Sequence, residues 1–356
     1  MSQYHPLRGL YLARLREFYR QPARLFWVYG FPTVLALGLG LAFQGKAPEA
    51  IPVDLVKNAM SDPTEKALRD YDARARAEKR QGVQLRVEPE EDARLRLRTG
   101  KTPLVVVPNA SGVTYRFDPT RPEATTARAA IDSILQRQAG RVDKLATEDR
   151  TVTEPGSRYI DFLIPGLIGS NTMGGGLWGV GFLLVNFRIG KLLKRFTATP
   201  MPRRDYLLAI IQARMTFLIP DVAVLLAMGV FVFGMPIQGD FFLICLVEIV
   251  GALAFAGIGL LIASRATTTE TVSGLMNLVM LPMWIFSGLF FSTERFPEAA
   301  QPFIQALPLT QLLNALRAVM LEGAGWTSHV VVLALGILTA WAVGSFVLAL
   351  RLFRWQ

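Results

Sequence analysis

Few residues of this chain combine types and spacings that could do chemistry. Gly100-Lys101-Thr102 resembles the end of a phosphate-binding loop, but the glycine required five residues before Gly100 is replaced by Leu95, and a strand rather than a helix is expected to follow. If the chain uses ATP, another chain binds it. His5 and His329 are far apart and have no acidic or cysteine companions, so no metal site is expected. The single cysteine, Cys245, lies in an apolar stretch, cannot form an internal disulfide and reads as a small buried hydrophobe. No nucleophile-base-acid set is present, so no catalytic residue is assigned and the chain is not expected to be an enzyme.

The ionisable residues that stand out are Arg214, Asp221 and Glu248, because each interrupts a long apolar run. Charges in such runs are costly, and they mark either structural pairing or a functional path. Arg214 and Asp221 are seven residues apart, two turns along one helical face. Two readings stay open: an interhelical ion pair or snorkelling side chains, and a lining of a hydrated translocation path or protomer interface.

The elements that would hold these residues are membrane spans. The chain has 356 residues, 51% hydrophobic and 19% charged, with a mean hydropathy of +0.34. Its apolar runs of roughly 20 residues match the thickness of a bilayer core. They fall at 25–44, 159–186, 206–234, 241–264, 272–292 and 328–350. Basic residues gather on one set of flanks: Arg14, Arg16, Arg20 and Arg24, then Arg188, Lys191, Lys194, Arg195, Arg203 and Arg204, then Arg265, then Arg351 and Arg354. The turn 235–240 on the other side has no Lys or Arg. The net charge of +10 therefore reads as cytoplasmic loop charge rather than as a nucleic-acid surface. The first span lacks a small-x-small cleavage site and reads as an uncleaved anchor.

Residues 45–157 differ in kind: they are highly charged and contain no span. Strands are expected at 51–56, 83–87, 104–107 and 113–117, with helices at 63–80, 90–99 and 122–139. The expected fold is an α-helical polytopic membrane protein with six transmembrane helices, both termini cytoplasmic, and a small α/β extracytoplasmic domain between helices one and two.

Two short segments sit on the expected cytoplasmic side. In residues 1–24, Leu7, Leu10, Tyr11, Leu15 and Phe18 recur at helical spacing, with Arg8, Arg14 and Arg16 elsewhere around the wheel, which predicts an interfacial helix. The loop 187–204 is basic and helix-capable as far as Pro200, and Ile189, Leu192, Leu193 and Phe196 give it one apolar face that could dock into a partner's groove.

The segment Leu281-Pro282-Met283-Trp284-Ile285-Phe286-Ser287-Gly288-Leu289-Phe290-Phe291, followed by Phe296-Pro297, Leu307-Pro308-Leu309-Thr310, Leu316-Arg317 and Glu322-Gly323, resembles the type-2 permeases of ABC exporters. Ala23-Arg24-Leu25-Phe26-Trp27 with Phe31-Pro32, and Lys194-Arg195-Phe196-Thr197-Ala198-Thr199-Pro200, extend the likeness over nearly all of the membrane portion. The resemblance implies a pair of permease protomers, identical or related, each docked on a cytoplasmic ATPase subunit that binds the ATP and Mg. It implies that 188–198 is a coupling helix in which Arg188, Lys191, Leu192, Lys194, Arg195, Phe196 and Thr197 engage the ATPase. It makes 7–20 a connecting helix carrying Leu10, Arg14 and Phe18. It makes 293–327 a re-entrant outer segment, with Ser287, Gly288, Pro308, Leu309, Thr310 and Arg317 at the gate. Where many members carry an acidic residue near the start of the coupling loop, this chain has Arg188 and Lys191, which is closer to the drug-exporter branch.

The function expected is export of a hydrophobic or amphipathic substrate, drug-like or lipid-linked, across a bacterial inner membrane, with a periplasmic adaptor as a further partner and no nucleic acid. Alternatives are a membrane scaffold or sensor with a ligand-binding outer domain, and an ion-coupled secondary transporter. The last would show internal repeats, and none is visible.

Overall fold

The computed structural model describes residues 6–42, 50–78, 80–110, 112–142, 145, 158–192 and 203–352. The chain forms two compact units, one of Met1–Gln44 with Val152–Gln356 and one of Gly45–Thr151. The first unit opens with α1 (Pro6–Tyr19), the single turn α2 (Pro22–Leu25), a π-helical turn (Phe26–Gly30) and α3 (Phe31–Ala42). Pro22 stands at the start of α2, where its missing N–H costs nothing and its fixed φ suits a helix.

The second unit runs β1 (Ile51–Val56), α4 (Ser61–Ala77), β2 (Val83–Glu88), α5 (Glu90–Arg98), β3 (Leu104–Asn109), β4 (Gly112–Phe117) and α6 (Pro122–Gln138). The expected strands and helices are all present. The sheet order is β2-β1-β3-β4, with β1 parallel to β2 and β3, and β3 antiparallel to β4. The central strands β1 and β3 are buried almost throughout, while β4 at the edge alternates. Such burial on both faces is what a parallel pair covered by helices requires. Val53, Leu55, Leu104 and Val106 pack with Leu68 of α4 and Ile131 of α6. On the opposite face Val56 and Val105 pack with Ala93 of α5. Asp54 also points there, and Arg96 of α5 donates to it at 2.6 Å.

The first unit resumes with α7 (Tyr159–Gly176), a π-helical segment (Leu177–Phe182) and α8 (Leu183–Ile189), then α9 (Arg203–Ala227) ending in a third π turn (Met228–Val232). It continues with α10 (Phe241–Arg265), α11 (Thr269–Phe286), α12 (Gln301–Ala306), α13 (Pro308–Glu322) and α14 (His329–Leu352). Among the described residues four helices are long and apolar enough to cross a membrane: Pro22–Ala42, Leu208–Val232, Phe241–Arg265 and His329–Leu352. The fifth predicted run is shorter than expected. Its helix begins where the Thr268 side chain caps Thr271 N, and it stops at Phe286 rather than at 292. Gly288 there has φ +77°, a left-handed conformation that side chains resist, so apolar Leu289–Phe291 cannot prolong the helix.

α10 is the centre of this unit, with Leu243, Val247, Phe255 and Ala256 wholly buried. Small residues set its distance from α7. A Cβ on Gly259 would lie 2.7 Å from the Gly176 carbonyl oxygen, and one on Gly176 would lie 2.5 Å from Phe255 Cβ. The two backbones therefore approach at a spacing no larger residue permits, as in helix pairs packed within membranes.

Candidate functional site

α9 brings Arg214 and Asp221 onto one face, as their spacing predicts. Arg214 Nη1 donates to Asp221 Oδ2 at 2.8 Å, with side chains only 6% and 2% exposed. The pair lies within one helix rather than between two, because the guanidinium stem spans the two turns that separate the Cα atoms. Room for it comes from α7, where a Cβ on Gly175 would overlap the guanidinium. One turn earlier on α7, Thr172 donates its hydroxyl to Glu248 Oε2 at 2.6 Å. A single turn of α7 thus holds both Arg214 and the Glu248 of α10. Neither Thr172 nor Gly175 was singled out for this role. The signal available in the sequence is the small-residue run Gly174–Gly176, since small residues let helices approach closely.

The cluster is incompletely satisfied. Among the described residues Arg214 Nε and Nη2, Asp221 Oδ1 and Glu248 Oε1 are buried and make no hydrogen bond. Unpaired buried polar atoms are rare and call for an explanation. Two spaces adjoin them. A cavity of about 440 Å³ is lined by Trp27, Asn171, Trp178, Asn186, Arg214 and Asp221. A groove of about 660 Å³ between α9 and α10 has Glu248 in its wall. π turns line both: Trp27 and Trp178 belong to two of them, and Phe231 of the third lines the groove. Such turns carry one residue more than an α-turn and are frequent at functional sites.

At one end of the unit, Arg317 of α13 donates to the Gly288 carbonyl at 2.6 Å and to the Phe162 carbonyl at 3.3 Å. Its guanidinium also lies 3.5 Å from the centroid of the Phe162 ring. The Ser287-Gly288 turn, the start of α7 and α13 are thereby stapled together. Pro308 opens α13, and Leu309, Thr310 and Ser287 are fully buried beside it.

At the other end, Arg188 in the last turn of α8 donates to the carbonyls of Ala263 at 2.8 Å and Ala266 at 2.6 Å. These are orphan carbonyls at the C-terminus of α10, where a cation also complements the helix dipole. The helix expected over 188–198 is interrupted: α8 ends at Ile189, and Lys191 takes a left-handed φ of 55°. Leu192 follows that turn, and Lys194, Arg195, Phe196 and Thr197 lie outside the described residues.

α1 is docked along α9 rather than standing free. Phe18 stacks on Phe217 with centroids 4.0 Å apart, and the hydroxyls of Tyr11 and Thr216 are 2.9 Å apart. Arg14 pairs with Glu17 and lies over the Phe187 ring, while Leu10 packs against the main core.

From residue 23 to residue 351 the sequence matches the family model of ABC-2 family transporter proteins. The chain belongs to that family. It is accordingly a polytopic helical membrane protein of the ABC-2 transporter kind. This ABC-2 chain is similar to ABC transporter G family member 20 of Dictyostelium discoideum, 27% identical over 58% of the chain and 29% of that protein. It is also similar to Nodulation protein J of Bradyrhizobium diazoefficiens, 32% identical over 29% of the chain and 38% of that protein. Nodulation protein J of Rhizobium leguminosarum bv. viciae is 31% identical over 29% of the chain and 40% of that protein. The matched regions span about three tenths to two fifths of the length of these relatives.

Proposed function

We propose that this chain is the permease subunit of an ABC exporter in a bacterial inner membrane, moving a hydrophobic or amphipathic substrate, drug-like or lipid-linked. In this reading six helical runs cross the bilayer, both termini are cytoplasmic and the α/β unit of Gly45–Thr151 faces outward. The observation that carries the reading is the family match over residues 23–351. It is supported by the charge asymmetry of the short loops and by a helical run from Tyr159 to Ile189, long enough to span a bilayer. α11, with 18 residues, supplies the remaining crossing, the fifth in chain order.

ATP and Mg are bound by the partner ATPase, and two permease protomers, identical or related, form the pathway. Arg188, Lys191, Leu192, Lys194, Arg195, Phe196 and Thr197 form the contact with the ATPase, and Leu10, Arg14 and Phe18 brace it from α1. Closure of the ATPases displaces this loop. Because Arg188 is bonded to the end of α10, the displacement reaches the central helix directly. The staple of Arg317 to Gly288 and Phe162 closes the opposite end until that motion arrives.

Affinity purification of the tagged chain in mild detergent, followed by ATPase assay, tests this. A stoichiometric nucleotide-binding subunit is expected, with ATPase stimulation lost on Phe196→Asp. A chain that purifies alone and functions without ATP overturns the reading.

A further inference from the structure

The groove between α9 and α10 has the composition of a binding site for one chemical class. Its walls are mostly apolar, Ile219, Val222, Leu226, Phe241 and Ile249 among them, with Gln212, Thr216 and Cys245 as the other polar or thiol groups, and its free space is about 660 Å³, within the range of sites for small organic ligands. The one acidic residue in its lining is Glu248. That side chain is 2% exposed; Oε2 is occupied by the Thr172 hydroxyl at 2.6 Å, while Oε1 has no hydrogen-bond partner. A carboxylate oxygen accepts hydrogen bonds and, when ionised, offers nothing to donate. The group that completes it is therefore a donor, and in an apolar setting a cationic donor gains most, because the charge-assisted bond is poorly screened there. A bound divalent metal is excluded by the donor set, since one carboxylate in hydrocarbon supplies far fewer oxygens than such an ion takes.

We propose that this groove binds lipophilic amines, amphiphiles with an ammonium head and an apolar body, with the ammonium N–H donating to Glu248 Oε1 and the body lying along Ile219, Val222 and Ile249. The groove is open along one side, so an amine already dissolved in a bilayer reaches it laterally. This names a class of cargo for the export reading and rests on that reading for export, but not for binding.

The test uses the full-length chain, immobilised in detergent without ATP or ATPase, with tritiated dodecylamine as probe and tritiated dodecanol as its neutral counterpart. Saturable dodecylamine binding is expected, with dodecanol at equal concentration failing to displace it. Glu248→Gln weakens amine binding about tenfold or more. Ala223→Trp, at an exposed groove position that leaves the buried cluster intact, abolishes it. Equal binding of amine and alcohol, or unchanged amine binding in both variants, overturns the inference. A chain that co-purifies with an ATPase yet fails to tell amine from alcohol overturns this site and leaves the export reading standing. A chain that binds the amine but recruits no ATPase does the reverse.

Discussion

The Arg188 guanidinium, at the end of α8, donates to the carbonyl oxygen of Ala266 at 2.6 Å, just beyond the last turn of α10. With the bond to Ala263 it caps α10, the most buried of the four long apolar helices among the described residues. Arg188→Ala exposes those carbonyls and is expected to cost about 1.5–3 kcal/mol, the usual value for charged hydrogen bonds. Arg188→Lys recovers only part of this, since an ammonium cannot reproduce the planar fork. Thermal unfolding in detergent reads both; equal stability of Arg188→Ala and the parent chain would remove the capping role.

The Arg214–Asp221 pair should behave as a unit. Removing one partner leaves an uncompensated buried charge, so Asp221→Leu and Arg214→Met alone are each expected to cost about 3–5 kcal/mol. The double variant Arg214→Met with Asp221→Leu should lie close to the parent chain. Chemical denaturation of all four proteins gives the coupling term, and additive losses would refute it.

Adjacent glycines on α7 should respond in opposite ways. A Cβ on Gly174 meets nothing within 4 Å, whereas on Gly175 it overlaps Arg214. Gly174→Ala is expected to be neutral or slightly stabilising, and Gly175→Ala to cost about 1–3 kcal/mol through overpacking. The comparison is internally controlled, because helix propensity changes equally at both positions.

Arg317→Met removes two hydrogen bonds and a cation–π contact, with an expected loss of about 2–4 kcal/mol. Gly288→Ala, which keeps the bond but strains the turn, should cost about 1 kcal/mol. If both variants melt with the parent chain, the staple has no structural weight.

In the α/β unit, burial and then the neighbouring Asp132 carboxylate push the Tyr115 hydroxyl up to about 12. Its ordinary value is near 10, so the folded state holds this proton more tightly than the unfolded one. The stability it contributes is complete below pH about 10 and is lost as pH rises through about 12. Stability of Tyr115→Phe should fall less steeply than that of the parent chain between those limits.

Much of this was legible in the residues themselves. The strands of Gly45–Thr151 could be placed because short apolar runs are separated by Pro, Gly and charged helical stretches. Their order could not, since β1 reaches both β2 and β3 only through crossovers that leave no local mark. The pairing of Arg214 with Asp221 follows from helical periodicity. The involvement of Thr172 and Gly175 depends on how α7 is rotated against α9 and α10, which no local pattern encodes. Arg188 reads from the sequence as a basic flank and, by resemblance, as a coupling-helix residue; only the tertiary path of α8 turns it toward α10. The gate residues could be placed near one another by resemblance, but the aromatic partner of Arg317, Phe162, lies 155 positions away in the chain.

The π-helical segment Leu177–Phe182 carries a surplus residue relative to an α-helix, and that surplus sets the azimuth of everything after it. Deleting one residue there, for instance Gly179, would restore a uniform helix while swinging α8 by about 100° around its axis. Arg188 would then face away from Ala263 and Ala266. A one-codon deletion inside an apolar helix, which changes neither its polarity nor its ability to cross a bilayer, would uncouple the two ends of that helix more completely than many charge substitutions.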